Sequence, residues 1–204
     1  MREPRVWQRM LSGRRLDLID PSPLDVELED IAHGLARVAR WNGQTEGAHI
    51  FSVAQHSLLV AAIAVHLEPE ITPSHHLATL LHDAPEYVIG DIISPFKTVI
   101  GDAYKAIEAR LLAAIHIHFG LPADLSAAAK RAIKKADRQA AFLEATRLAG
   151  FSREEALKYF GRPEPLPRTI DAMLEPWPIH VAEERYRREV TTLISALSSQ
   201  RRTI

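Results

Sequence analysis

The sequence predicts an all-α fold, organised as one domain over residues 1–204. Three observations carry that expectation. Apolar residues recur at helical spacing along several long stretches. Those stretches open on Ser or Thr capping signals and close on Gly or Pro. The period-two runs of Val, Ile and Thr that strands need are almost absent, and no repeat or low-complexity tract intervenes.

Taken in order, residues 1–27 mix Arg, Pro and Asp with isolated apolar positions, and PSP at 21–23 predicts an irregular lead-in. EDIAHGLARVARW reads as a helix ending at Arg40-Trp41, just before the turn-like Asn42-Gly43. Ser52 and Gln55 form a capping-box pattern ahead of VAQHSLLVAAIAVHL, which Pro69 closes. Thr72-Pro73 then opens the helix that carries His82 and Asp83. Residues 102–119 and about 124–149 are helical, the second ending at Gly150. Ser152 with Glu155 caps a shorter helix ending near Gly161. Five prolines make 162–178 a packed loop, and a last helix runs over 180–198. The core is placed at about 28–150, with the helices of 151–204 covering the bundle and offering a dimer surface.

Composition narrows the chemistry. With 47% hydrophobic residues, 25 Lys+Arg against 26 Asp+Glu and a formal charge of −1, the chain has no basic footprint for DNA or RNA polymers. A small-molecule substrate is expected. There is no cysteine, so His, Asp and Glu are the only strong metal ligands on offer. No stretch has the length of a membrane span or the apolar core of a signal peptide, and a cytoplasmic protein is expected.

Four polar residues sit where their helical neighbours are apolar: His56, His82, Asp83 and Asp137. Val53, Leu59 and Val60 share the face of His56; Ile133, Ala140 and Ala141 share that of Asp137. Burying such groups costs several kcal/mol each unless they are paired. His82 lies 26 positions after His56, and Asp137 lies 54 after Asp83. Two imidazoles and two carboxylates suit one divalent ion such as Mn, Co, Ni, Zn or Mg, with positions left for water and phosphate oxygens. His116 and His118 are two apart and diverge by about 200° on a helix, which argues against a second metal. His33, His49, His66, His75, His76 and His180 show no partner pattern, and the basic residues near 130–138 read as a solvated stripe.

That order and spacing resemble the HD superfamily of metal-dependent phosphohydrolases, with its H…HD…D signature. RW at 40–41, SVAQHS at 52–57, LLHDAPEYVIGDIISPFK at 80–97 and KKADRQAA at 134–141 are similar to the bacterial HD-domain 5′-deoxynucleotidases, a resemblance covering residues 30–141. It implies an all-α fold with the four residues as metal ligands. By the same likeness Glu86 and Asp91 match the HDxxE glutamate and the downstream aspartate near the catalytic water and substrate.

Glu86, just past the ligand pair, is placed to position that water or act as its base. Asp91 follows Gly90, where a tight turn can return its side chain over the cleft to shuttle a proton or bind a sugar hydroxyl. Lys97 is a candidate phosphate contact. Arg40 and Trp41 match the family's RW pair beside the substrate, the Arg as a phosphate fork and the indole as a wall against a 2′-hydroxyl. The expected function is phosphate release from nucleoside 5′-monophosphates by metal-activated water, in a homodimer. The alternatives are an alarmone or cyclic-nucleotide phosphohydrolase, or a non-catalytic helical module with a structural metal.

Overall fold

The computed structural model describes residues 5–202 and is all-α apart from one small hairpin. That hairpin pairs β1 (Trp7–Arg9) with β2 (Arg15–Asp17), antiparallel, with Gln8 opposite Leu16. It replaces the expected irregular lead-in; residues 1–4 lie outside the described residues. Leu16 is fully buried and anchors the pair, but three-residue strands are too short to leave a period-two signal.

Helix α1 (Leu28–Leu35) stops well short of Trp41. After Val38 the chain extends instead, because it pairs with the entry to the next helix: Arg40 N–H donates to Phe51 O at 2.8 Å and Val53 N–H to Val38 O at 3.0 Å. The pairing satisfies the first orphan N–H of α2 (Val53–Leu67) and brings Arg40 alongside its N-terminus. Ser52 Oγ accepts from Gln55 N–H, as the capping pattern predicts. The reciprocal half of that box is missing. The buried Gln55 amide donates to Met173 O and Glu175 O and accepts from Trp177 N–H, fastening the proline-rich loop to α2.

Helix α3 (Pro73–Leu80) is capped by Thr72 and ends before His82 and Asp83, which occupy a turn rather than the helix the sequence predicts. Pro85 bars the helix from running on, since it has no N–H to give Leu81 O and its ring would crowd that carbonyl. Then follow α4 (Glu86–Ile89), α5 (Ser94–Ile100), α6 (Asp102–His118) and α7 (Ala127–Arg147). Helix α8 (Arg153–Phe160) begins with the expected Ser152/Glu155 capping box, and α9 (Arg168–Asp171) is a short element inside the loop. The last helix, α10, spans Ile179–Arg202.

The core forms around α2, buried on nearly every side and flanked by α3, α7 and α10. Helix α10 buries Ala182, Tyr186, Val190 and Leu193, one face at helical spacing, and Tyr186 OH donates to Leu80 O at 3.3 Å. Among the described residues no helix is long and apolar enough to cross a membrane.

Gly34 lets α1 close on α4: a Cβ there would meet Tyr87 Cβ at 2.8 Å and Tyr87 O at 2.9 Å. Backbone cannot yield as a side chain can. Gly34→Ala should therefore lower stability by about 1–3 kcal/mol in urea denaturation; unchanged stability would show that the α1–α4 contact is not this tight.

Candidate metal centre

Three elements deliver the four predicted ligands. His56 projects from the first turn of α2, His82 and Asp83 from the turn after α3, and Asp137 from the middle of α7. Donor atoms of His56, His82 and Asp137 all lie within 4.8 Å of one another. Asp83 joins them, with Oδ2 at 3.4 Å from His56 Nε2 and 3.3 Å from His82 Nε2; Asp137 Oδ1 lies 3.6 Å from His56 Nε2. Donors held about 2.0–2.2 Å from one ion sit roughly 3.0–3.6 Å apart, so these spacings fit a single divalent cation.

The tautomers fit as well. His82 Nδ1 faces Thr79 O at 2.8 Å, and a carbonyl only accepts, so Nδ1 carries the proton and Nε2 keeps its lone pair. His56 Nδ1 donates to Glu144 Oε1 at 2.5 Å, leaving Nε2 as the nitrogen that can face an ion. Both Nε2 atoms are buried without a hydrogen-bond partner, and both face the shared point. Two orphaned lone pairs beside two carboxylates are a donor set for a metal.

Electrostatics agree. Burial and Arg40 oppose charge on His56, yet Glu144 and Asp83 outweigh them and draw its pKa upward, so Nε2 attracts a positive charge, a proton that a bound metal ion would displace. Burial likewise opposes ionisation of Asp83 and Asp137, but the two imidazoles hold both carboxyls below their ordinary range. The site favours positive charge at its centre.

Glu86 is 1% exposed, not a surface helix-terminal residue. Burial and the nearby Asp83 and Asp91 carboxylates push its pKa up to about 9, against Arg40 and Lys97. Its Oε2 has no partner, and Lys97 Nζ lies 3.6 Å from Oε1 and 3.1 Å from Glu108. Asp91 does return to the site after Gly90, whose φ of 75° favours glycine, and its Oδ2 lies 3.3 Å from Arg40 Nη1. Arg40 and Trp41 belong to a tight turn over Arg40–Gly43, where Trp41 (φ 56°) and Asn42 (φ 51°) are left-handed.

A cavity of about 1020 Å³ joins these groups, running from Asp83 and Asp137 past Arg40, Glu86 and Asp91 to Trp41. A smaller one, about 430 Å³, approaches the same ligands from the side of His116. His118 points away, to Pro23 O at 2.8 Å, as the spacing predicts. The basic stripe is only partly solvated: Lys134 Nζ meets Asp137 Oδ2 at 2.6 Å, and Arg138 lines the larger cavity.

Glu144 is the functional residue that the sequence analysis missed. Fully buried on α7, it accepts from His56 Nδ1, from Trp41 Nε1 at 2.9 Å and from Arg40 Nε at 3.4 Å. The signal was its place seven residues after Asp137, and so on the same helical face, beside apolar Ala140, Ala141 and Ala145.

Residues 30–149 match the family described as 5′-deoxynucleotidase YfbR-like. The chain belongs to that family. The span extends the sequence resemblance and includes Glu144. Membership implies an HD-type, metal-dependent phosphohydrolase with activity on nucleotides. The chain is similar to an uncharacterised protein of Rhodobacter capsulatus, 58% identical over 175 residues, which are 85% of this chain and 89% of that protein. It is also similar to the uncharacterised protein YfdR of Escherichia coli K12, 32% identical over 108 residues, 53% of this chain and 55% of YfdR.

Glu144→Gln keeps the shape but removes the charge that fixes the His56 tautomer. Metal affinity should fall about 10–100-fold with helix content retained, read by metal titration and circular dichroism. Unaltered affinity would make Glu144 a packing residue only.

Proposed function

We propose that this chain hydrolyses the phosphomonoester of nucleoside 5′-monophosphates, deoxyribonucleotides ahead of ribonucleotides, using one divalent ion held by His56, His82, Asp83 and Asp137. The observation that carries the reading is the convergence of two unpartnered imidazole Nε2 atoms on two carboxylates, Asp83 and Asp137, that line a cavity shared with Arg40 and Glu86. A bound divalent ion would supply Lewis acidity to a phosphate oxygen, acidify a water and draw nearby carboxyls toward ionisation.

The chain's own residues do the rest. Arg40 is held cationic between Glu144 and Asp91, in a fork suited to a phosphate dianion. Lys97, on the same cavity wall, adds a second positive charge within reach of a substrate phosphate. Glu86 carries a proton at neutral pH when its neighbours are charged, and Oε2 is the atom free to exchange it. That suits a carboxyl that protonates the leaving 5′-oxygen and serves as base toward the water only once it has ionised, a change from the sequence expectation of a simple base. A non-catalytic module would not need such a carboxyl, buried at a cost of several kcal/mol. Trp41, fixed by its bond to Glu144, presents the sugar with a wall that cannot yield to a 2′-hydroxyl.

The test is phosphate release from paired ribo- and deoxyribonucleoside 5′-monophosphates by metal-loaded protein, with Asp83→Ala beside the wild type. Release from the deoxy series, abolished in Asp83→Ala together with metal binding, is expected. A wild type that binds metal and releases phosphate from no member of the panel would overturn the reading.

A further inference from the structure

The cavity extends beyond what a sugar phosphate fills. At about 1020 Å³ it lies at the top of the roughly 300–1,000 Å³ range of small-molecule sites. Its end remote from the metal ligands is aromatic. Phe151, Tyr159 and Phe160 line it together with Trp41. The first three come from α8 and the turn before it, beyond the span of the family match.

This end is rigid where it meets the sugar and open where it meets solvent. Trp41 lies 5.6 Å from Phe151 and 5.9 Å from Phe160, ring centre to ring centre, and the two phenylalanines are 6.1 Å apart. Phe142, Ala145 and Ala156 pack behind them. The Ser152/Glu155 capping box fixes the start of α8, so the rings are mounted on an element with a defined first turn. Tyr159, by contrast, is 64% exposed at the lip and contributes almost nothing to the cluster behind it. Lys158 Nζ lies over one side of the Tyr159 ring, 5.4 Å from its centre, which leaves the opposite face of this exposed aromatic residue to offer a ligand beside the cavity.

We propose that α8 builds a nucleobase subsite at this end, in which Tyr159 and the Trp41–Phe160 wall take the base by stacking and favour purines over pyrimidines. The proposal rests on the nucleotide reading of the metal site. With the phosphate held between the metal ligands and Arg40, and the sugar against Trp41, the base is the part of the substrate that reaches α8. Stacking reads ring area, so a fused purine gains more than a single pyrimidine ring.

The experiment compares wild type, Tyr159→Ala and Tyr159→Phe, all metal-loaded. Because Tyr159 is exposed, the truncation should leave the melting temperature unchanged. Turnover is measured on deoxyadenosine 5′-monophosphate, thymidine 5′-monophosphate and base-free deoxyribose 5-phosphate, and binding of unreactive deoxyadenosine by calorimetry. Tyr159→Ala should raise KM for the purine nucleotide and Kd for deoxyadenosine about tenfold. The effect on thymidine 5′-monophosphate should be smaller, kcat and the base-free substrate should be unaffected, and Tyr159→Phe should restore wild-type values.

An unchanged purine KM and deoxyadenosine Kd, or an equal loss on all three substrates, overturns the subsite. If the wild type releases no phosphate from any of them, the phosphohydrolase reading fails. The deoxyadenosine titration then decides the subsite by itself: a tenfold weakening in Tyr159→Ala supports it, and the same affinity or no binding in either protein overturns it.

Discussion

Glu144 sits fully shielded from solvent between α2, α7 and the Arg40–Gly43 turn, and a buried carboxylate is tolerated only when its oxygens are saturated with donors. Three donors meet it: His56 Nδ1, Trp41 Nε1 and Arg40 Nε. Burial alone would push its pKa upward, but the His56 and Arg40 charges hold it down to about 2. Each donor is thereby fixed for a separate purpose. His56 is turned so that Nε2 faces the other ligands, Arg40 is aimed between Glu144 and Asp91, and the indole is pinned on the cavity wall. The left-handed backbone of Trp41 and Asn42, of order 1–3 kcal/mol each in strain, is paid for by this anchorage.

Around that anchor the charges are graded. Asp83 and Asp137 are ionised because imidazoles face them, whereas Glu86 faces Asp83 and Asp91 and keeps its proton. One carboxyl set is ionised and the other keeps its proton, a division that suits the proposed metal-assisted hydrolysis. The turns that set this grading have simple causes: Pro85 frees His82 and Asp83 from α3, and Gly90 sends Asp91 back toward Arg40.

How much of this was legible in the sequence follows from what each residue's neighbours reveal. His56 and Asp137 stood out because apolar residues flank them at helical spacing, and the helices themselves were marked by caps such as Ser52, Thr72 and Ser152. Periodicity says nothing about where a helix gives way to a turn. His82 and Asp83 were therefore placed inside α3, and Arg40 and Trp41 at the end of α1, although each lies beyond its helix. Gln55 was read as a local cap, but its amide bonds to a loop more than a hundred residues away. Glu144 looked like an ordinary charged residue near a helix end; only the fold puts His56 against it. Long-range pairing of polar side chains leaves no mark in a one-dimensional pattern.

The central claim is that one ion is held jointly by His56, His82 and carboxylate oxygens. X-ray absorption on cobalt- or zinc-reconstituted protein, with metal content per chain measured on the same sample, tests it most directly. One ion per chain is expected, bound through two imidazole nitrogens at about 2.0–2.1 Å with oxygens completing the shell. A shell of oxygens alone, or two ions per chain, would contradict it.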